Sequence, residues 1–332
     1  MQEFTDEDRE QYNALTQKIG IVDWSDRTTI AITGSDRIDF LNNLCTQNVK
    51  SLTAGNGCET FFCNVQGKIL AHAFLFCESD RVVFDTVPGQ ADAMMAHIDK
   101  YIIMESVELE NLTDKTSQLL VAGPDAEKTL GGLAKEALPS DALQHVSTEF
   151  DGLAGVGLTI IRNDILGKPS FAVQFDPSAK ESVTSQLLIA GGTDCQAATA
   201  EAVRIENRFP LFGREISESS LPQEVGRDEQ AISFTKGCYL GQETVARIDA
   251  LGHVNWHLVR LDFESRSDDA TGKDASDVTE GMEVVVDEKV VGKITSIGWS
   301  PATESPIALA RVRREVETGV SVVVSGCSAV AR

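Results

Sequence analysis

The residues best suited to chemistry lie in one stretch, Ser233-Phe-Thr-Lys-Gly-Cys-Tyr-Leu-Gly-Gln-Glu-Thr-Val-Ala-Arg247. A thiolate reacts where a thiol does not, so the field around Cys238 decides its character. Gly241 and Gln242 open a helix-like run, which sets Cys238 near a positive helix start. Lys236 adds a cation two residues away, and Gly237 and Gly241 permit tight turns. Glu243 and Arg247 stand four apart, the spacing of a helix-face ion pair. These residues read either as an activated thiol at a helix start or as a buried cysteine in a glycine-punctuated turn.

Around that stretch, the hydrophobic periods predict the elements that position it. Residues 6–19 read as a short helix and Trp24–Ile32 as a strand. Asp36–Leu44 reads as a helix with Ser35 or Asp36 as its N-cap. Residues 59–64, 69–77 and 81–87 read as three strands joined by hairpin turns. Pro88 opens a helix bearing Met94, Ile98 and Tyr101, and residues 107–111 return as a strand. A strand at 119–124, a helix from Asp125 to about Ala137, strands at 158–162 and 171–175, and helices at 177–188 and 199–207 follow. This order is that of an α+β fold rather than a doubly wound sheet. Residues 265–280 have linker composition. The strands 256–263, 282–286, 290–297, 307–312 and 320–324 predict a small all-β domain or barrel.

The chain has 332 residues, 42% of them hydrophobic, enough for two or three domains with real cores. No run reaches the length of a membrane span, and the acidic start Met1–Glu10 lacks the features of a secretory signal. A cytoplasmic protein with no membrane association is expected. The net charge of −22 argues against a phosphate-backbone grip, so no direct nucleic-acid partner is expected. Seven scattered cysteines with no C-x-x-C pair predict neither a disulfide framework nor a metal site. Most should be small core hydrophobes.

The octet Lys236-Gly-Cys-Tyr-Leu-Gly-Gln-Glu243, preceded by Ile232-Ser-Phe-Thr, resembles the signature of the YgfZ family of folate-binding proteins, which are relatives of the glycine-cleavage T-protein (aminomethyltransferase). Gly34, Phe40-Leu41, Leu44, Thr46 and Val49 agree in order, as do Asn64-Val-Gln-Gly-Lys68, Arg204-Ile-Glu206, Pro210, Gly213 and Pro222-Gln-Glu224. The resemblance spans roughly residues 25–325. It implies a three-lobed, aminomethyltransferase-like fold with a central folate pocket. Residues 1–250 would form the folate-binding region, with a β-rich lobe inserted at 48–112, and residues 251–332 a C-terminal β-barrel. It further implies tetrahydrofolate or a derivative as ligand, and iron–sulfur enzymes or assembly proteins, including tRNA-modifying ones, as partners. Cys238 with Lys236 would carry the chemistry.

The resemblance also assigns a cofactor-binding set. In T-proteins the glutamate of Arg-x-Glu binds the pterin, and a carboxylate accepts two N–H bonds from an aminopyrimidine edge. Glu206 keeps that place, the alternative being a surface pair with Arg204 or Arg208. Asn64 and Gln66 lie on a hairpin that can face the pocket. Tyr101 either lines the pocket or packs in the core. Arg247 meets a folate glutamate tail or simply Glu243. Tyr239 and Gln242 complete the set. One departure stands out: where T-proteins carry an Asp-Asp pair central to transfer, this chain has Ala71-His72. Aminomethyl transfer is the alternative function, and whether any turnover occurs stays open. His72 is either a base or a hydrogen-bonded structural residue.

Overall fold

The computed structural model describes residues 5–167, 169–264 and 275–332. The first half runs α1 (Asp6–Gln17), β1 (Gly20–Asp23), β2 (Thr28–Thr33), α2 (Arg37–Leu44), β3 (Asn56–Cys63), β4 (Ile69–Cys77), β5 (Val82–Thr86), α3 (Ala91–Asp99), β6 (Glu108–Asn111) and β7 (Ser117–Ala122). Next come α4 (Ala126–Leu133), β8 (His145–Thr148), β9 (Leu158–Arg162), β10 (Ser170–Phe175), α5 (Lys180–Ile189), β11 (Thr193–Cys195) and α6 (Ala197–Glu206). The last part holds α7 (Asp228–Ala231), α8 (Gln242–Leu251), β12 (Trp256–Phe263), β13 (Glu283–Val286), β14 (Lys289–Ser300), β15 (Ser305–Arg313), β16 (Ser321–Val324) and β17 (Cys327–Ala331).

These elements build three lobes, each with its own sheet. The first sheet has the order β11-β1-β7-β10-β9-β8, the second β3-β4-β5-β2-β6, and the third closes as a barrel, β12-β15-β14-β13-β16-β17. The expected α+β class and C-terminal barrel are therefore observed. Alanines at 308, 310, 329 and 331 help fill the barrel interior around Leu261 and Phe263, as a small closed barrel requires.

The second sheet positions most of the chemistry because its two faces differ. Ile30, Ile32, Phe62, Ala71, Leu75 and Phe84 pack under Phe40, Leu41 and Leu44 of α2 and Met94 and Ile98 of α3. Alternation along the strands sends Phe74, Phe76 and Val83 the other way. There they join Tyr12, Leu15, Val22, Leu120 and Phe209 in the core between the first two lobes. α6 then ties both to the barrel, where Ile205 packs on Ile307 and Leu309.

Local signals explain most of the element ends. Thr5 caps α1 in a reciprocal box: its hydroxyl accepts from the Asp8 amide at 3.1 Å and the Asp8 carboxylate accepts from the Thr5 amide at 2.8 Å. Asp36 does precede α2, but its carboxylate accepts from the Ser106 amide at 2.7 Å instead of capping the helix. Three expectations shift. The strand expected at 24–32 begins only at Thr28, as β2, and Trp24–Arg27 cross between lobes from β1, a separate strand that precedes them in the first sheet. α4 stops at Leu133, after a Gly131-Gly132 pair of weak helix formers, where Ala134 bridges to Phe150. The linker at 265–280 lies largely outside the described residues, and Ala275–Asp277 forms a short 3-10 turn.

Candidate functional site

The loop bearing Cys238 is pinned across the C-terminal end of α2. Ser233 donates its amide to the Thr46 carbonyl and Leu240 donates to Asn43, both at 2.9 Å. Between them, the Lys236 ammonium donates to the carbonyls of Asn42, Cys45 and Gln47 at 2.7, 2.8 and 2.6 Å. These carbonyls lie at and just beyond a helix end, where backbone acceptors lack intrahelical partners. An ammonium has three protons, and all three are used. Burial pulls the Lys236 pKa below the usual lysine range. Lys236 is thus a peg for the loop, and its charge is spent on carbonyls.

Tyr239 turns inward, under the Lys236 ammonium at 5.1 Å, into a cluster with Phe61, Cys63, Ile69, Ile216 and Val245. Burial pushes its phenol pKa well up. Gly241 then adopts a φ of +84° at the start of α8, and a side chain there would strike the Asn64 carbonyl at 2.6 Å. Gln242 is half-buried as the first residue of α8. The outcome is a loop crest with Cys238 exposed and Phe234 48% exposed beside it in the chain. The other six cysteines are buried. Burial pushes the Cys63 and Cys195 thiols up to about 12, far from the thiolate.

Glu206 lies where the first lobe meets the barrel. At the end of α6 its carboxylate accepts the Tyr12 phenol, 2.9 Å from Oε2 and 3.1 Å from Oε1, and the Ser300 hydroxyl on Oε1. Arg260 of β12 donates to the Glu206 carbonyl at 3.0 Å. Burial, reinforced by the Glu206 charge and hydrogen bond, pushes the Tyr12 pKa far up. Neither neighbouring arginine pairs with the Glu206 side chain. Arg204 is buried instead among Glu201, at 2.6 and 2.7 Å, Glu215 at 3.0 Å and Ser296 at 2.7 Å.

The remaining predicted residues are dispersed. Asn64 closes its hairpin, with Oδ1 accepting the amides of Gln66 and Lys68 at 3.0 Å. Tyr101 packs edge-on to His97 at 5.4 Å in the cluster behind the second sheet, away from Phe74 and Phe76. Arg247 is exposed on α8 and forms no ion pair with Glu243 among the described residues. It borders a pocket of about 360 Å³ with Leu221, Glu224 and His253.

Sequence reasoning missed a charged network on the inward face of the second sheet. Glu59 is 2% exposed and His72 5%. The Nε2 of His72 lies 2.7 Å from Oε1 of Glu59, and Arg227 forks onto both Glu59 oxygens, with Nε 2.8 Å from Oε1. Burial opposes ionisation of Glu59, but the Arg227 and His72 hydrogen bonds outweigh it and hold the carboxyl down to about 2. His72 stacks on Phe209 with centroids 5.8 Å apart, and the Arg227 guanidinium lies over the same ring at 5.3 Å. On β5, Asp85 accepts Arg27 through Oδ1 alone, with Nε at 2.8 Å, which leaves Oδ2 buried without a partner. Burial raises the Asp85 pKa against the opposing pull of Arg27. A readable signal existed: Glu59, His72 and Asp85 are the charged or titratable breaks in otherwise apolar strands. Among the described residues, no group of three or more His, Cys, Asp or Glu side chains is arranged to hold a metal ion. No helix among them is long and apolar enough to cross a membrane.

This arrangement, two sheet lobes and a barrel with Glu206 at the joint between the first lobe and the barrel, has a counterpart among known proteins. The GCVT N-terminal domain matches residues 2–236, and the glycine cleavage T-protein C-terminal barrel domain matches residues 270–331. The chain belongs to the glycine cleavage T-protein family. Within it, a chloroplastic protein of Arabidopsis thaliana, provisionally named a transferase, is 29% identical over 88% of the chain, which spans 64% of that protein's length. The aminomethyltransferase of Thermotoga petrophila is 27% identical over 93% of this chain and 82% of its own. That of Thermotoga neapolitana is 25% identical over 93% and 83%. The crystal structure of the glycine cleavage system aminomethyltransferase T from Bartonella henselae superposes with a TM-score of 0.82 over 97% of this chain and 87% of its own, at 19% identity. The fold is therefore the three-lobed T-protein fold with a closed six-stranded barrel.

Proposed function

We propose that the protein binds tetrahydrofolate or a derivative at Glu206 and supports iron–sulfur cluster assembly or repair, including that of tRNA-modifying enzymes, through the thiol of Cys238. The observation that carries the thiol reading is the pinned loop: Lys236 spends all three protons on anchoring it, and the exposed crest bears the one cysteine not buried in the fold. That geometry suits a thiol offered to a partner protein better than one enclosed beside a small substrate. The YgfZ-like octet that forms this loop supports the same reading.

The residues fit a folate. Oε2 of Glu206 accepts only the shared Tyr12 proton, so it retains acceptor capacity for the N–H donors of an aminopyrimidine edge. Tyr12 and Ser300 hold the carboxylate in one orientation, which lowers the entropy cost of capture. The unpartnered Oδ2 of Asp85 offers a second buried acceptor on the inward face. The flat rings of Phe74 and Phe209, 6.3 Å apart and inclined by 18°, share the core cluster of Tyr12. Bound folate supplies one-carbon carrying capacity. The chain's own residues orient it and exclude water.

A transferase reading has the names of the Thermotoga relatives in its favour. Against it stands His72, which occupies the second acidic position and is committed to Glu59 rather than free to take a proton from a substrate. Titration calorimetry with tetrahydrofolate tests the pocket: Glu206→Gln should weaken binding at least tenfold, and unchanged affinity would remove Glu206 from the site. Cys238→Ala should bind folate normally yet fail to restore iron–sulfur enzyme activity in deficient cells. Full restoration would overturn the thiol role, and turnover of an aminomethyl donor by the pure protein would favour the transferase.

A further inference from the structure

The outer wall of the barrel carries a basic cleft in this strongly acidic chain. β15 presents Arg311 and Arg313 two residues apart, so both side chains leave the same face. The register sets Lys293 of β14 directly opposite Arg311, and Trp256 of β12 directly opposite Arg313. Like charges facing each other across an antiparallel ladder are destabilising unless something lies between them. On the same face of β15, Ile307 and Leu309 are covered by Ile205 of α6, and the two arginines continue the row outward.

Trp256 holds both guanidinium groups, 5.2 Å from its ring centroid for Arg311 and 4.8 Å for Arg313. They border a cleft of about 600 Å³ between the barrel and the segment 213–217, within the size range of small-molecule sites. The acids nearby are largely engaged. Glu280 is taken by Arg214, Glu215 by Arg204 and Ser296, and Glu224 by one arm of Arg311 at 2.7 Å. Glu283, across the ladder from Lys293, forms no ion pair with it among the described residues. Lys293 and Arg313 have no carboxylate partner among the described residues, and the Nε of Arg311 is buried without an acceptor.

We propose that this cleft binds a small molecule carrying a phosphate or pyrophosphate group. Arginine forks match phosphate oxygens in two-pronged geometry, and lysine adds a point charge. Three cations on one patch suit a multiply charged anion better than a single carboxylate. Val290, half exposed at the cleft's edge, gives the uncharged part of the ligand an apolar surface. The global charge of −22 is screened beyond roughly 8 Å at physiological salt, so the local cations decide.

Isothermal titration of the full chain with inorganic pyrophosphate at low salt tests this. One pyrophosphate should bind per chain, and Lys293→Gln/Arg313→Gln should bind at least tenfold more weakly. Both residues are exposed, so the thermal midpoint of the double variant should match that of the unaltered protein. Glu206→Gln and Cys238→Ala should bind pyrophosphate normally. No heat at millimolar pyrophosphate, or equal binding by the double variant, would overturn the site. So would loss of binding in Glu206→Gln alone.

Discussion

At the scale of single residues, the two members of Lys236-Gly-Cys238 have separable jobs. Lys236→Met removes three charged hydrogen bonds and leaves half-buried carbonyls unpaired, which should cost about 1–3 kcal/mol. Cys238→Ala changes an exposed side chain and should fall within about 0.5 kcal/mol. Urea midpoints of the two variants check this; equal losses would mean that Cys238 also holds the loop. Glu59 gives a second residue-scale test. Its carboxyl moves from the ordinary 4.5 to about 2 on folding, so its contribution is present above pH 4.5 and is lost as pH falls toward 2. The shift corresponds to about 3 kcal/mol. Glu59→Gln should therefore lose stability at pH 7 and approach the unaltered protein near pH 2.5. A difference that stays constant with pH would discard the linkage. Much of this site was legible only in part. The sequence marks Cys238 and Glu206 by their motifs, but Lys236 read as an activating cation, because its acceptors are carbonyls from residues 42–47 that no local pattern announces. The Glu59–Arg227 pair joins residues 168 positions apart, and only the folded chain brings them together.

At the scale of elements, the helices and long strands followed their periodicity, and the departures are physical. β8 and β11 hold four and three residues, too few for alternation to emerge from the noise of a polar neighbourhood. β1 was hidden because it has only four residues, three of them buried in a row, so no alternation marks it off from the chain that leads to β2. α1 read simply as a helix, yet Tyr12 gives it a specific dock on α6. That dock is testable. Tyr12→Phe keeps the ring in the core and deletes only the donor to Glu206, so it should cost about 1–2 kcal/mol in chemical unfolding. Pairing it with Glu206→Gln in a double-mutant cycle should show non-additivity of at least 0.5 kcal/mol, as expected for directly bonded partners. Additive losses would show that α1 docks through its apolar residues alone.

At the scale of the whole molecule, Arg204 decides how far the barrel and the sheet lobes unfold as one. Its guanidinium contacts Glu201 on its own helix, Glu215 on the following loop and Ser296 on β14, all within 3.0 Å. The same loop binds back, with Ser296 donating to Glu215 and the Leu211 amide donating to Glu215 at 2.9 Å. The apolar part of this joint is small, with Ile205 against Ile307, Leu309 and Leu258. Coupling thus leans on a buried ion network, whose disruption from one side leaves its carboxylates uncompensated and costs about 3–5 kcal/mol. The barrel keeps its own closed hydrogen-bond ladder and its own core, so it does not need that network to fold. Arg204→Met should therefore do more than lower a midpoint. Scanning calorimetry should show the heat absorption divide into two transitions, one for the sheet lobes and one for the barrel, because cooperativity between folding units is set by the interface joining them. A single transition that merely moves to lower temperature would mean that the remaining joints, Ile205 on Ile307 and Leu309, Ser300 and Arg260 on Glu206, Arg311 on Glu224 and Arg214 on Glu280, suffice to couple the lobes without Arg204.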